Sequence, residues 1–446
     1  MTDVTKNTLL FAVVFGLIIL TAFVQGPNVA LTLFNMGLVS AIVAIGVNLQ
    51  WGFAGLFNVG VMGFIGLGGL ATVLVAMPPE TDAWAAGGVG ILAGLAMGAA
   101  TIVAVILVYS RMAAGRVRTL VVLALLVGGF FLFRAVFDPA VSSVEAVNPA
   151  LKGYLGGINW FALGRSGQQP DMMVVLAWPV GGLLAAGAAW IIGKTALGLR
   201  SDYLAIATLG IAEIIIYILK NEDWLARGVK NVTGLPRPVP YEIELQNASG
   251  FVERATSLGL DPVTASSIWV KLGYSMLFSV VLILILVAAQ LALKSPWGRM
   301  MRAIRDNEVA AEAMGKDVTA RHLQVFILGS AICGIGGAMM TTLDGQLTPT
   351  SYQPLRFTFL IWVMVIVGGS GNNFGAVLGG FLIWFLWVMV EPIGLQLMQG
   401  ITFWMADGFW LKDHLIDSAA HMRLLTMGLI LILVLRFSPR GLIPEK

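Results

Sequence analysis

Charged residues are scarce in this chain of 446 residues: together they make up 11% of it, whereas hydrophobic residues make up 58%. Soluble globular domains carry about 25% charged residues. The mean hydropathy of +0.87 therefore excludes an ordinary soluble fold and indicates a polytopic membrane protein. The formal net charge of +3 is small and spread over loops, so it does not indicate nucleic acid as a partner.

Cysteine and histidine are nearly absent as well. Cys333 is the single cysteine of the sequence, which excludes an intrachain disulfide and a cysteine metal cluster. The three histidines, His322, His414 and His421, lack the spacing of metal ligands. We therefore expect neither a metal nor another bound cofactor.

A complete phosphate-binding loop is also missing. The tripeptide Gly193-Lys194-Thr195 resembles the end of such a loop, but Ala188 stands where the first glycine belongs. No nucleophile–base arrangement or other catalytic constellation is present. The sequence predicts that this chain is not an enzyme and does not itself bind ATP.

Long apolar stretches, in contrast, are abundant. A helix that crosses a bilayer needs about 20 predominantly apolar residues, and about twelve candidates occur, near residues 8–25, 29–49, 53–77, 87–110, 119–137, 172–193, 203–220, 272–293, 322–343, 357–370, 374–390 and 419–436. Stretch 53–77 is rich in glycine and stretch 357–370 is short, so either could be broken or re-entrant. We predict an all-α, polytopic transmembrane helix bundle of about 10 to 12 spans, forming a single domain over residues 1–446.

The distribution of basic residues predicts the orientation. Lysine and arginine concentrate in the loops near 111–118, 194–200, 294–321 and 436–446, which include Arg200 and Lys446. These loops fall on one side if twelve spans alternate, and the long loop 221–271 falls on the other. By the positive-inside rule, both termini are expected in the cytoplasm and loop 221–271 outside it.

A polar segment at residues 295–317 interrupts the apolar pattern. Ser295 and Pro296 are typical of an N-cap and a first helical position, and apolar residues then recur at helical spacing with Arg299, Arg302 and Arg305 between them. A second short helix, beginning at Glu308, is expected to end at Gly315. We predict a compact cytoplasmic projection of two helices that fits a groove on a soluble partner.

Glycines recur every four residues in two stretches, at Gly90, Gly94 and Gly98 and at Gly371, Gly375 and Gly379. Such stripes predict close helix packing. The denser glycines between Gly52 and Gly69 instead favour local unwinding around Asn58, which could line a substrate route.

One carboxylate, Glu213, lies deep in an apolar stretch. A charge near the bilayer centre costs about 2.5 to 3.5 kcal/mol, so Glu213 must face protein or water. It is a candidate for translocation or gating together with Asn58 and Thr208; a hydrogen-bonded glutamate that braces helices is the alternative. Asp344 and Arg356 lie near the ends of stretches and are interpreted as anchors at the membrane interface.

Several blocks together resemble a known family. The segment from Glu308 to Gly315 is similar to the EAA loop of ABC importer permeases. In order, the blocks 52–69, 198–214, 232–236, 295–315, 368–380 and 436–442 resemble the LivM-type permease of bacterial branched-chain amino-acid importers. The resemblance spans most of residues 50–440, although 138–171 and 391–421 are longer than expected and Gln353-Pro-Leu-Arg356 departs from the pattern.

The resemblance implies a permease subunit in the bacterial inner membrane, driven by ATP hydrolysis in partner chains. It also implies a second, homologous permease subunit, two ATP-binding subunits and a periplasmic substrate-binding protein. The residues it assigns to coupling with the ATPase are Arg299, Arg302, Arg305, Glu308, Ala310, Ala311 and Gly315.

Two alternatives remain open. Relatives of the same architecture import urea, short amides or other amino acids, so the substrate is not fixed. An ion-coupled secondary transporter that uses Glu213 as its proton site is a second function class, although such a transporter has no need of a cytoplasmic docking helix.

Overall fold

The computed structural model describes residues 3–149, 152–162, 170–199, 201–405 and 409–445. Arg200 and Lys446, two of the bases used above to predict orientation, lie outside these ranges. The helices are α1 (Asp3–Val24), α2 (Pro27–Ala54), α3 (Val61–Ala76), α4 (Thr81–Ala83), α5 (Val89–Arg111), α6 (Arg116–Glu145), α7 (Met173–Ala196), α8 (Ser201–Asn221), α9 (Asp223–Ala226), α10 (Glu242–Asn247), α11 (Ser249–Ser257), α12 (Pro262–Lys294), α13 (Pro296–Asp306), α14 (Glu308–Ala313), α15 (Val318–Asp344), α16 (Leu360–Gly368), α17 (Asn373–Ile401), α18 (Trp410–Asp417) and α19 (Met422–Phe437).

Strands are almost absent from the described ranges. β1 (Val232–Thr233) and β2 (Gln346–Leu347) form a two-stranded antiparallel ribbon. Wide π-helical turns, Trp84–Gly88 and Leu355–Phe359, lead into α5 and α16.

The number of membrane crossings agrees with the sequence prediction. Within the described ranges, nine helices are long and apolar enough to span a membrane, and α18 with α19, bent by 61°, makes a possible tenth. Val61–Ala76 and Leu355–Gly368 are shorter apolar helices. The all-α bundle of about 10 to 12 spans is confirmed, and the two stretches expected to be irregular contain these two short helices.

The centre of the bundle is built around α15, which packs against α2, α3 and α7. α17 lies against α2 and α16, while α1 and α12 pack on the outside of α2. Most of α2 is buried in the chain, so this helix is surrounded by protein and not by lipid.

The α5–α6 hairpin is peripheral. It has its own small hydrophobic cluster, in which Ile91 and Val144 meet Leu155 and Trp224. In contrast to α2, the most apolar stretch of 18 residues within α6 has no buried residue. This hairpin therefore offers its surface to lipid or to another chain.

Two faces of the bundle are distinguished by their connections. We call the side that carries α13, α14 and the tail 438–445 the basic face. The opposite face carries the β ribbon and the segment 222–261. The predicted loop 221–271 is shorter than expected, because α12 begins at Pro262, and it contains α9, α10 and α11.

Two sequence boundaries were wrong for the same reason. The stretches predicted to end near residues 137 and 390 continue as α6 and α17 through Pro139 and Pro392 to Glu145 and Ile401. Proline is tolerated inside membrane helices because neighbouring helices and local backbone adjustments satisfy the backbone groups that it leaves without a hydrogen bond.

The glycine stripes mark close helix contacts. A Cβ atom at Gly375 or Gly379 would collide with the carbonyl oxygens of Gly368 or Met364 in α16, and one at Gly94 would press on Phe137 of α6. The packing interpretation of both stripes is therefore confirmed, except that Gly371 lies in the turn before α17 with φ of 82°.

Gly379→Val is expected to destabilise the bundle. The new side chain would push α17 away from the Met364 carbonyl, and overpacking of this kind costs about 1 to 3 kcal/mol or more. The measurement is the midpoint of thermal unfolding in detergent. Gly187→Val is the matched control, because no atom lies within 4 Å of a Cβ built at Gly187; equal losses in both variants would contradict the packing argument.

Candidate functional site

The two-helix projection at residues 295–317 begins as the sequence predicts, with one difference. Ser295 occupies the N-cap position of α13 and Pro296 follows it. However, the Ser295 hydroxyl donates to the carbonyl oxygen of Ala292 at 2.6 Å and makes no capping bond to α13. Pro296 and the preceding turn therefore define where α13 starts.

One side of α13 is fixed to the bundle. Met301 and Ile304 are fully buried, and Gly298 lies against the backbone of Leu293 at the end of α12. Trp297 donates from its indole Nε1 to Gln324 of α15 at 3.1 Å. The amphipathic helix is thus a rigid extension of α2, α12 and α15 and not a free surface helix.

The three arginines of α13 hold different backbone positions. Arg299 and Arg302 donate to the carbonyl oxygens of Lys294 and Leu293, each at 3.2 Å. Arg305 reaches further: it donates to the carbonyl oxygen of Gly52, near the end of α2, and to the Glu445 carboxylate at 2.7 Å. Arg305 therefore joins α13 to both a central helix and the tail.

The tail itself is bound to the end of α16. The backbone amides of Leu442 and Ile443 donate to the carbonyl oxygens of Val367 and Gly368, each at 2.9 Å. Asn372 donates from its side chain to the carbonyl oxygen of Pro444 at 3.2 Å. The tail thus forms a strap that connects the turn after α16 to Arg305.

Electrostatics favour the Arg305 contact. Burial alone would lower the pKa of Arg305, but its hydrogen bonds with Glu445 and Asp306 raise the pKa above the usual arginine value. The guanidinium stays charged at every physiological pH, so this junction does not respond to pH.

Arg305→Gln is expected to weaken the link between α13 and the tail. A charge-assisted hydrogen bond contributes about 1.5 to 3 kcal/mol, and partial exposure of both partners reduces that to about 1 kcal/mol. We expect the midpoint of thermal unfolding in detergent to fall, with normal insertion. Arg111→Gln is the control, since Arg111 is an exposed arginine at the end of α5, outside the projection; an unchanged unfolding midpoint in Arg305→Gln would contradict this link.

The second helix, α14, presents the exposed tip of the projection. Asn307 caps it by accepting from the amide of Ala310 at 2.9 Å. Gly315 ends it with φ of 76°, and its amide donates to Glu312 at 2.8 Å. The expected glycine end is confirmed, whereas the Asn307 cap is an additional feature.

The residues of α14 divide into an inner and an outer set. Ala311 is buried, while Glu308 and Ala310 are exposed. Val309 and Met314 expose 76% and 80% of their surface. These two apolar side chains were missed by the sequence assignment, and on a short polar helix their exposure signals a contact surface.

Asn58 and Thr208 come together in a buried network near the basic face. Chain 55–60 is unwound, as predicted, and the Val59 amide donates to the Thr208 hydroxyl at 3.1 Å. Asn58 donates to Gln50 of α2 at 2.8 Å and accepts from the amide of Gly60. Trp362 of α16 donates to the Asn58 carbonyl oxygen at 3.0 Å.

Two amides of α2 were missed by the sequence analysis. Gln50 donates to the Phe326 carbonyl oxygen and to Ser330 of α15. Asn48 donates to Asn373 at 3.0 Å and accepts from the Gly371 amide at 2.9 Å. Their presence in an otherwise apolar span was the signal, because buried polar groups in membranes need partners.

Glu213 does not join this network. It is half-buried on the outer side of α8, next to the exposed residues Ile206, Gly210, Ile214 and Tyr217. Glu213 makes no hydrogen bond or ion pair with any residue that the structure describes. The candidate residues therefore separate into two groups. Asn58 and Thr208 belong to one hydrogen-bonded network, whereas Glu213 has no partner among the described residues.

Most of these candidate sites lie in a part of the chain that matches a known protein family. A family model described as branched-chain amino acid transport system, permease component, matches residues 150–435, more than half of the chain. It includes Thr208, Glu213, α13, α14 and α16, whereas Asn58 lies before it.

Individual relatives agree with this match. The high-affinity branched-chain amino acid transport system permease protein LivM of Salmonella typhimurium is 26% identical over 273 residues, which is 60% of this chain and 56% of the relative. The Escherichia coli protein of that name is 26% identical over 271 residues, with the same coverage. A probable LivM of Methanocaldococcus jannaschii is 30% identical over 156 residues, 34% of this chain and 41% of the relative. The chain spans about half the length of the curated relatives it matches, and no solved structure matches it.

Proposed function

Because the chain belongs to the branched-chain amino acid transport system permease family, we propose that it is the membrane-spanning subunit of an ABC importer for branched-chain amino acids. It would act in the bacterial inner membrane with both termini and the basic face in the cytoplasm. It would carry out no chemistry itself, and ATP would be bound by partner chains.

The observation that carries the proposal is the braced projection on the basic face. A secondary transporter needs no rigid, capped helix that exposes Val309 and Met314 away from the bundle. An ATPase groove would cover this tip, because two exposed apolar side chains beside Glu308 offer both apolar area and charge for recognition.

The projection also supports a mechanical route. Motion of α14 would be transmitted by α13, whose buried Met301 and Ile304 fix it to the bundle. Arg305 would pass that motion to α2 and, through Glu445, to the turn after α16. Asn48 accepts from Gly371 in that turn and lies on α2 together with Gln50, which accepts from Asn58, so closure of the ATPases would move the centre of the bundle.

The implied assembly has further members. A second, homologous permease would complete the transport path, two ATP-binding subunits would dock on the two projections, and a periplasmic binding protein would approach the opposite face. Exposed faces such as α5–α6 and the outer side of α8 are surfaces for lipid or for the second permease.

Reconstitution tests the proposal. The chain is inserted into liposomes with the co-encoded permease and ATPase subunits, the co-encoded periplasmic binding protein is supplied on the opposite side, and the uptake of radiolabelled leucine is measured with and without ATP. We expect uptake that requires ATP and the ATPase chains. Uptake that instead follows a proton or sodium gradient, without ATP, would refute an ABC importer and favour the ion-coupled alternative.

One observation favours the ion-coupled secondary transporter as a second candidate. The unpartnered Glu213 would suit a proton-binding carboxylate in a wet cavity. Import of urea or short amides is the other alternative, and competition by unlabelled urea in the same liposomes separates it from leucine transport.

A further inference from the structure

A polar pocket of about 330 Å³ opens at the opposite face. It lies between the end of α15, the start of the α16 span and the segment that joins them. Gln346 of the β ribbon, Thr348, Asp344 and Arg356 line it. The sequence analysis interpreted these last two residues as anchors at the membrane interface, but they face one pocket.

Arg356 contacts two aromatic rings and makes no hydrogen bond or ion pair with the described residues. Its guanidinium carbon lies 5.0 Å from the ring centre of Phe357 and 5.5 Å from that of Trp384. The Nε atom is buried and has no hydrogen-bond partner among the described residues. These cation–π contacts position the guanidinium, and its terminal nitrogens, which bond to no described residue, remain available to the pocket.

The side chains of Asp344 and Thr348 also make no hydrogen bond with the described residues. Asp344, the last residue of α15, is exposed, and it makes no ion pair with any described residue. The Thr348 hydroxyl is buried without a partner in the described residues. Two opposite charges thus line one pocket, near enough to attract each other but without a direct ion pair.

An occupant is therefore expected to carry both charges. A buried guanidinium binds a carboxylate through two parallel hydrogen bonds, and a carboxylate accepts from an ammonium group. A free amino acid offers both groups on one carbon, whereas urea and short amides offer neither charge. We infer that this pocket binds the zwitterionic head group of an amino acid, with Arg356 on its carboxylate and Asp344 on its ammonium.

This inference rests on the proposed transport function and deepens it by naming the substrate class and an entry site. The pocket adjoins the ribbon on the face where a binding protein would approach. An apolar cavity that shares Met340, Arg356 and Phe357 with it measures about 30 Å³, room for about one water molecule. A leucine side chain does not fit there, so the pocket would recognise the head group and leave side-chain selection to other components.

Analogue binding to the full-length wild-type chain in nanodiscs tests the inference. The probes are leucine, 3-methylbutylamine, which lacks the carboxylate, 4-methylpentanoate, which lacks the ammonium, and urea, followed by saturation-transfer NMR. We expect leucine to bind about 10- to 100-fold more tightly than either half-molecule, because each lacks one charge-assisted contact. Urea should not compete. Leucine binding no tighter than the two analogues, or absent, would overturn the site.

Two variants test which residue binds the carboxylate and which binds the ammonium group of the amino acid. Arg356→Gln should abolish the preference for leucine over 3-methylbutylamine, and Asp344→Asn should abolish the preference over 4-methylpentanoate. Arg134→Gln is the matched control, because Arg134 is an exposed arginine on α6, paired with Asp138 at 2.6 Å. Arg356→Lys keeps the charge and loses the fork, so an intermediate affinity is expected even if the glutamine variant folds poorly.

The outcomes separate the site from the transport function. The pocket would be refuted if both variants kept the wild-type affinity and the same preference among the analogues. If the wild-type assembly also took up leucine in an ATP-dependent manner, the importer function would still hold. Loss of ATP dependence in the wild-type assembly would refute the importer, whatever the binding data show.

Discussion

Gly315→Pro is expected to abolish ATP-driven uptake while membrane insertion stays normal. Gly315 has φ of 76°, and its amide donates to the carbonyl of Glu312; proline permits neither. Loss of this helix end would cost about 3 kcal/mol and reduce the docked conformation about 100-fold. Uptake in proteoliposomes and the amount of inserted protein are measured together.

Gly315→Ala is the control for that variant. Alanine keeps the amide and tolerates positive φ at about 1 kcal/mol, so most uptake should remain. Glu308→Arg is a second route to the same result, because it reverses an exposed charge at the start of α14 without disturbing the helix end. Normal uptake with normal ATPase stimulation in Gly315→Pro or Glu308→Arg would refute docking through α14.

Glu213→Leu is expected to reduce uptake by at least about 10-fold, whereas Glu213→Gln should keep most of it. The described chain gives Glu213 no partner, so a second permease or water must satisfy it. Leucine removes every hydrogen bond, but glutamine preserves shape and hydrogen-bonding capacity. Uptake is compared at equal expression, with Ile214→Leu as a control for packing on the same side of α8.

The glutamine variant also decides between the two function classes. An ATP-driven importer needs a satisfied polar contact at Glu213 and no titrating proton. If Glu213→Gln abolishes uptake as completely as Glu213→Leu, ionisation itself is required, and the ion-coupled alternative gains at the importer's expense.

Local chemistry made much of the fold predictable. Long apolar stretches gave the helices, and Pro296 and Gly315 gave the limits of the projection, because these residues restrict the backbone directly. The helix ends predicted near residues 137 and 390 were wrong, because tertiary packing lets a membrane helix continue through Pro139 and Pro392.

The candidate site was less predictable, because it depends on contacts between distant segments. The approach of Val59 to Thr208 joins α3 to α8, and Arg305 meets Glu445 across 140 positions in the sequence. Spacing along one helix cannot show such pairs. Arg356 and Asp344 illustrate the same limit: each looks like an interface anchor alone, and only the chain path brings them to one pocket.

The two short helices have a consequence for the membrane itself. At about 1.5 Å per residue, the 16 residues of α3 rise about 24 Å, less than the hydrocarbon thickness of about 30 Å. α3 packs against α7, α8 and α15, and α16 against α2, α17 and α19, so lipid cannot thin to match them. The two ends of α3 are therefore closer together than the two surfaces of the surrounding hydrocarbon layer, and an electric potential across the membrane would drop over this shorter distance at α3.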